Sequence, residues 1–131
     1  MKKKKGHTLV EVIVAIVLYA FSLAAILGVM LQGVTMSKMA ELTYTASTIA
    51  KNRIERLKNL SVSALDLAAE TNTPIDQYGS PDPNGIYMRT TTVSTVAGYA
   101  NVRQVIVSVY YVWRGTASSP RTVTTVIYTG G

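Results

Sequence analysis

Hydrophobic and polar positions change rhythm along this chain, and each change marks an element. Four lysines, Lys2 to Lys5, are followed by Gly6, His7 and Thr8. From residue 12 to residue 31 there is then no charged side chain. Twenty residues at 1.5 Å each reach ~30 Å, the thickness of a bilayer's hydrocarbon core. Beyond residue 35 the pattern turns amphipathic. Leu42, Ala46, Ile49, Ala50, Ile54 and Leu57 recur at steps of three and four and form one apolar stripe. Lys38, Glu41, Lys51, Arg53, Glu55, Arg56 and Lys58 belong to the opposite face. No proline interrupts 8–60, so the spacing predicts one helix of about fifty residues, ~80 Å long.

After residue 60 the helical period ends. Residues 61–70 allow a short helical turn. Thr73-Pro74 and 78–85 are turn chemistry, so 61–85 reads as a connector. Residues 86–96 are rich in threonine, valine and tyrosine and read as a strand. A turn at 97–101 leads to 102–113, where Val105, Val107, Val109, Tyr111 and Trp113 share one face. Residues 115–120 turn, and 122–129 return as an edge strand. Core packing accounts for Tyr111 and Trp113 more simply than an adhesive aromatic surface does. The expected fold is α+β, a long helix whose stripe packs on a three-stranded antiparallel sheet.

Two polar features frame the apolar run. The lysines place the N-terminus in the cytoplasm and the last hundred residues across the membrane, by the positive-inside rule. Glu11 is the second. A carboxylate inside a membrane helix costs about 2.5–3.5 kcal/mol on insertion scales, so an ordinary anchor would omit it. Glu11 either snorkels back toward the lysines or has a partner. Gly28 and Gly33 each weaken the helix by about 1 kcal/mol relative to alanine. They serve either local melting or close helix packing together with Ala24 and Ala25.

The lysines, Gly6, the Thr8-Leu9-Val10 step, Glu11 and the apolar run together resemble the class III signal of type IV pilins and pseudopilins. The resemblance implies that a membrane aspartyl peptidase, prepilin peptidase, cuts after Gly6 and methylates the new N-terminus. His7 would become the first residue of the mature chain, where the family usually has phenylalanine, and Glu11 the fifth. The cut frees an amine on the end of a helix entering an apolar bundle. Glu11 of a neighbouring subunit would neutralise it, since a buried charge is tolerable only when paired. The stretch Ala50 to Leu57, with Ile54-Glu55-Arg56-Leu57, is similar to V-type minor pilins and I-type pseudopilins. The family reading divides the chain into a leader (1–6), a transmembrane and assembly half-helix (7–34) and an exported domain (35–131). It implies a single-pass protein of the inner membrane that later joins an extracellular or periplasmic filament. Its implied partners are the bilayer, prepilin peptidase, an inner-membrane assembly platform and other subunits.

Composition adjusts this picture. The net charge of +6 is mostly leader: without Lys2 to Lys5, nine basic residues face seven acidic ones, or +2. That is a targeting device more than a nucleic-acid footprint. There is no cysteine, whereas many major pilins carry a C-terminal disulfide loop, so a minor pilin or pseudopilin is the closer resemblance. The one histidine, His7, lies at the processing site, and no catalytic constellation is spaced along the chain. No enzyme, cofactor or metal site is expected. Asp76, Asp82 and Asn84 lack the alternation and bidentate glutamate of a calcium loop. Two other functions stay open at this point. A DNA-uptake pilin would use Arg89, Arg103, Arg114 and Arg121, and a plain membrane-anchored binding module would keep its N-terminus uncut.

Overall fold

The computed structural model describes residue 6 and residues 8–129. A long helix α1 (Leu9–Leu57) precedes a short α2 (Val62–Leu67). Five strands follow: β1 (Glu70–Ile75), β2 (Tyr87–Val96), β3 (Tyr99–Trp113), β4 (Thr116–Ala117) and β5 (Arg121–Tyr128). The chain forms two compact units that divide between Met39 and Ala40.

In the first unit α1 is bare. Val12, Ile13 and Val14 point in three directions roughly 100° apart, yet they are 46, 52 and 51% exposed. Further along, Phe21, Val29 and Leu31 are exposed to 72, 71 and 70%. A helix that is apolar all round is stable only inside lipid or protein. This segment is long and apolar enough to cross a membrane. Its Ser22 hydroxyl donates to its own backbone, to the Leu18 carbonyl at 2.8 Å, so it asks nothing of an apolar solvent.

In the second unit one face of α1 is buried. Leu42, Ala46, Ile49, Ala50, Ile54 and Leu57 are the buried residues of the helix, the same six positions that the period of the sequence picks out. They share a core with Val105, Val107, Val109 and Tyr111 of β3, Tyr87 of β2 and Ile127 of β5. Leu65 of α2 and Ile75 of β1 complete it, while Trp113 packs on its margin. The α+β arrangement of helix on antiparallel sheet is therefore present. The long strand β3 is its centre, with β2 on one side and β4 and β5 along the other.

The sheet has five strands, not three. β4 is a two-residue pairing in the expected turn, and β1 lies in the expected connector. β1 reads poorly as a strand because it contains Pro74 and just one buried apolar residue, Ile75. It pairs with β2 alone among the described strands, and proline is tolerated on such an edge. Its first residue, Glu70, holds it in place through the charged contacts described below.

The loop between β1 and β2 closes on its own side chains. Asp76 Oδ1 accepts the Tyr78 and Ser80 amides at 2.9 and 2.8 Å, and Asp82 Oδ1 accepts the Asn84 amide at 2.9 Å. Gly85 follows, where the chain crosses β1 so closely that a Cβ would lie 2.1 Å from the Ile75 carbonyl oxygen. Backbone cannot yield as a flexible side chain can. Gly85→Ala is therefore expected to cost about 3 kcal/mol, the upper range for overpacking. Urea unfolding of fragment 35–131, followed by the fluorescence of its one tryptophan, measures this; an unchanged midpoint would contradict the close crossing.

Candidate functional site

The N-terminal end of α1 is built by a cap. Thr8 precedes the helix. Its Oγ1 accepts the Glu11 amide at 3.3 Å, and its carbonyl accepts the Val12 amide at 3.2 Å. Thr8 and Glu11 stand in the T-x-x-E spacing of a capping box. That places Glu11 in the first turn, at the positive end of the helix dipole, where a carboxylate is favoured. Glu11, Val12, Ala15, Ile16 and Tyr19 line one shallow groove on the helix surface. A single acidic group thus sits at the head of a surface that is otherwise apolar.

Gly6 is exposed, and a Cβ there would meet nothing within 4 Å. The fold of the described chain does not require glycine at this position. His7, the expected new N-terminus, and Lys2 to Lys5 lie outside the described residues.

Residues 1–31 match the family model described as the prokaryotic N-terminal methylation motif. The chain carries a class III prepilin signal. Such a signal marks a type IV pilin-like or pseudopilin protein that prepilin peptidase processes, and the apolar, exposed α1 fits a membrane anchor for it. The match covers the signal and the apolar run but not the globular unit. No curated protein and no solved structure matches the chain.

The globular unit holds a second polar assembly, centred on Glu70. Arg89 donates from Nε to Glu70 Oε1 and from Nη2 to Oε2 at 3.1 Å. Thr91 Oγ1 donates to Oε1 at 2.8 Å, and Arg53 Nη2 approaches the same oxygen at 3.3 Å. Arg89 Nη1 reaches the Gly79 carbonyl at 2.8 Å. Gly79 has φ +84°, open to glycine at little cost, and a Cβ there would stand 3.5 Å from that same Nη1. Helix α1, strands β1 and β2 and the loop after β1 thus meet at one carboxylate. Arg103 makes a similar bidentate pair with Asp66, at 2.9 and 3.2 Å, which fastens α2 to β3.

These contacts correct two sequence expectations. Arg53, assigned to the solvated face of the helix, is partly buried in the cluster. Arg89 and Arg103, candidates for DNA contact, are 4 and 8% exposed and bound to carboxylates. Arg114 lies over the Trp113 ring at 5.1 Å, and Arg121 is exposed at the start of β5. The four arginines do not make one accessible basic surface. Strand parity was the signal to use: Arg89 is opposite Val109 in the register, on the inward face.

Burial opposes ionisation of Glu70 most strongly of any single cause. The hydrogen bonds from Arg89 and Thr91 and the charges of Arg89 and Arg53 together outweigh it and hold the carboxyl below its usual range. Hydrogen bonds from Arg103 lower Asp66 as well. A carboxyl lowered in the folded state contributes stability above its unfolded pKa, about 4.3 for glutamate, and loses it as pH falls through the folded value. Glu70→Gln should cost about 3 kcal/mol at neutral pH, because it leaves two arginines facing a neutral amide. The variant's unfolding free energy should also fall less steeply than the parent's below about pH 4.3. Urea titrations of both proteins across the acid range check the two statements; equal stability at neutral pH would remove Glu70 from its central place.

Proposed function

We propose that this protein is a structural subunit, a minor pilin or pseudopilin, of a type IV pilus or related secretion filament. Prepilin peptidase cuts it between Gly6 and His7. The mature chain waits in the inner membrane with its N-terminus toward the cytoplasm and its globular unit on the far side. It then enters a helical bundle through α1. The observation that carries this reading is Glu11, the one carboxylate at the head of a helix that is apolar on every side and carries the methylation signal.

The mechanism follows from two desolvation costs. A bare apolar helix is satisfied by lipid and equally by a bundle of like helices, so moving between them changes little for residues 12–31. The new amine and Glu11 behave differently. Each is a charge that hydrocarbon rejects, and each becomes tolerable when the other neutralises it. Pairing of one subunit's Glu11 with the His7 amine of the next therefore favours the bundle over isolated chains and sets the axial register between them.

This reading separates insertion from assembly. Glu11→Val makes the helix more apolar, so membrane insertion should persist or improve by about 3 kcal/mol. Processing should persist, since the leader and Gly6 are unchanged. Incorporation into filaments should fall, because the partner's amine would be buried without a counter-charge. Glu11→Gln should fall between the two, keeping an acceptor but no charge. Fractionation of cells into membranes and sheared filaments, with the processed band quantified in each, compares the parent with both variants. Normal incorporation of processed Glu11→Val would end the pairing mechanism.

A further inference from the structure

The two edges of the sheet are finished differently. Edge strand β1 carries Pro74 and a register irregularity between Glu70 and Thr73. Its own loop covers it: the Asp82 amide donates to the Pro74 carbonyl at 3.0 Å, the Asp76 amide donates to the Ser80 carbonyl at 2.9 Å, and Ile75 bridges to Pro81. Proline, bulges and covering loops are the devices that keep a sheet edge from pairing with another chain. Edge strand β5 has none of them. Its eight residues hold an unbroken register with β3, contain no proline and carry one charge, Arg121 at the first position.

Hydrogen bonding fixes which groups of β5 face outward. Thr129 lies opposite Asn101, one step beyond the Tyr128–Val102 pair, and its amide donates to the Asn101 carbonyl at 3.0 Å. Bonded pairs alternate along an antiparallel ladder, so Arg121, Val123, Thr125 and Ile127 bond to β3. The other side of β3 agrees. There the Val112 amide donates to the Ile86 carbonyl at 2.8 Å, which gives the even-numbered residues of β3 to β2 and the odd-numbered ones to β5. Thr122, Thr124, Val126 and Tyr128 therefore turn N–H and C=O away from the sheet, along ~20 Å of strand. Among the described residues no other backbone pairs with these groups, and all four side chains are exposed.

Donors and acceptors alternating at strand spacing are matched by the backbone of another extended chain. Direction argues against a second copy. Two antiparallel β5 strands are related by a two-fold axis perpendicular to the sheet. The buried stripe of α1 packs on the face of that sheet, so residues 42–57 would run in opposite directions in the two copies. Chains anchored by α1 in one membrane enter it in the same direction. We infer that β5 is a docking edge for an extended strand of a different protein chain, which joins the sheet antiparallel as its next strand. The antiparallel sense is the more stable one per residue. The inference rests on the globular unit and its anchor, and holds whether or not the chain is cut or enters a filament.

The test uses the full chain, labelled with nitrogen-15, in nonionic detergent micelles. Amide exchange with deuterium comes first. The amides of Thr122, Thr124, Val126 and Tyr128 should exchange fast, and those of Val123, Thr125 and Ile127 slowly. The strand-forming peptide acetyl-Lys-Thr-Val-Thr-Val-Thr-Val-Lys-amide is then added. It should shift the four outward amides saturably and slow their exchange, leaving the β1 edge unchanged. Val126→Pro removes one outward donor without touching the ladder to β3, since proline is tolerated on the open side of an edge strand. It should weaken peptide binding about tenfold, whereas Val126→Thr, still β-branched, should keep it within about twofold. Exchange and peptide binding are both read on the parent chain, so the inference stays testable if Val126→Pro does not fold. Slow exchange of the four amides without peptide, no saturable shift, or equal binding by a folded Val126→Pro would overturn it. A full-chain dimer in the micelle that Val126→Pro dissolves would also overturn it, by giving the edge to a second copy.

Discussion

An apolar helix surface that nothing in its own chain covers has to be covered by something else. This constraint governs the first unit. Residues 12–31 are exposed on every side of α1, and no other element of the described chain is committed to them. Exposed apolar area on this scale is not tolerated by a soluble monomer. Lipid would meet the constraint, and neighbouring helices would meet it equally in the proposed filament. The few polar groups in the segment then decide what else happens. Ser22 is satisfied by its own backbone, and Thr8 caps the helix. Glu11, in the first turn, is the charged group at the head of this surface.

The second unit solves the opposite problem, that of a small domain with no disulfide. Its apolar core is one helix stripe against the inner face of a sheet, closed by Leu65 and Ile75. Around the core, arginine–carboxylate pairs fasten the elements that bury the least: Glu70 holds β1 to α1 and β2, and Asp66 holds α2 to β3. Such pairs are poor sources of net stability, because desolvation offsets much of the attraction. They are good at fixing which segments meet. β1, with its proline and scarce apolar residues, is positioned mainly by that means.

Much of this was legible in the sequence, and the failures have physical reasons. The α1 stripe was readable to the residue, because six apolar positions hold one helical period without interruption. Strands β2, β3 and β5 followed from alternation and from β-branched composition. β1 was invisible since its pairing is non-local: nothing within Glu70–Ile75 alternates, and what holds it lies 17 residues back at Arg53 and 19 ahead at Arg89. Arg89 and Arg103 looked like surface charge because arginine usually is, although strand parity placed both inward. The N-terminal signal was legible through its spacing, and the family match extends over it. Its cap at Thr8 was equally written, in the T-x-x-E step, but is confirmed as a cap only by the Glu11 amide bond.

We propose that this chain becomes a filament subunit by being cut at one bond, which frees the amine that Glu11 then answers. The most direct test is mass analysis of the intact N-terminal peptide of the native protein from its own membrane. The predicted result is a chain that begins at His7, heavier by one methyl group on its α-nitrogen. A native chain that still begins with Met1 and the four lysines would contradict the claim and leave a membrane-anchored protein with no route into a filament.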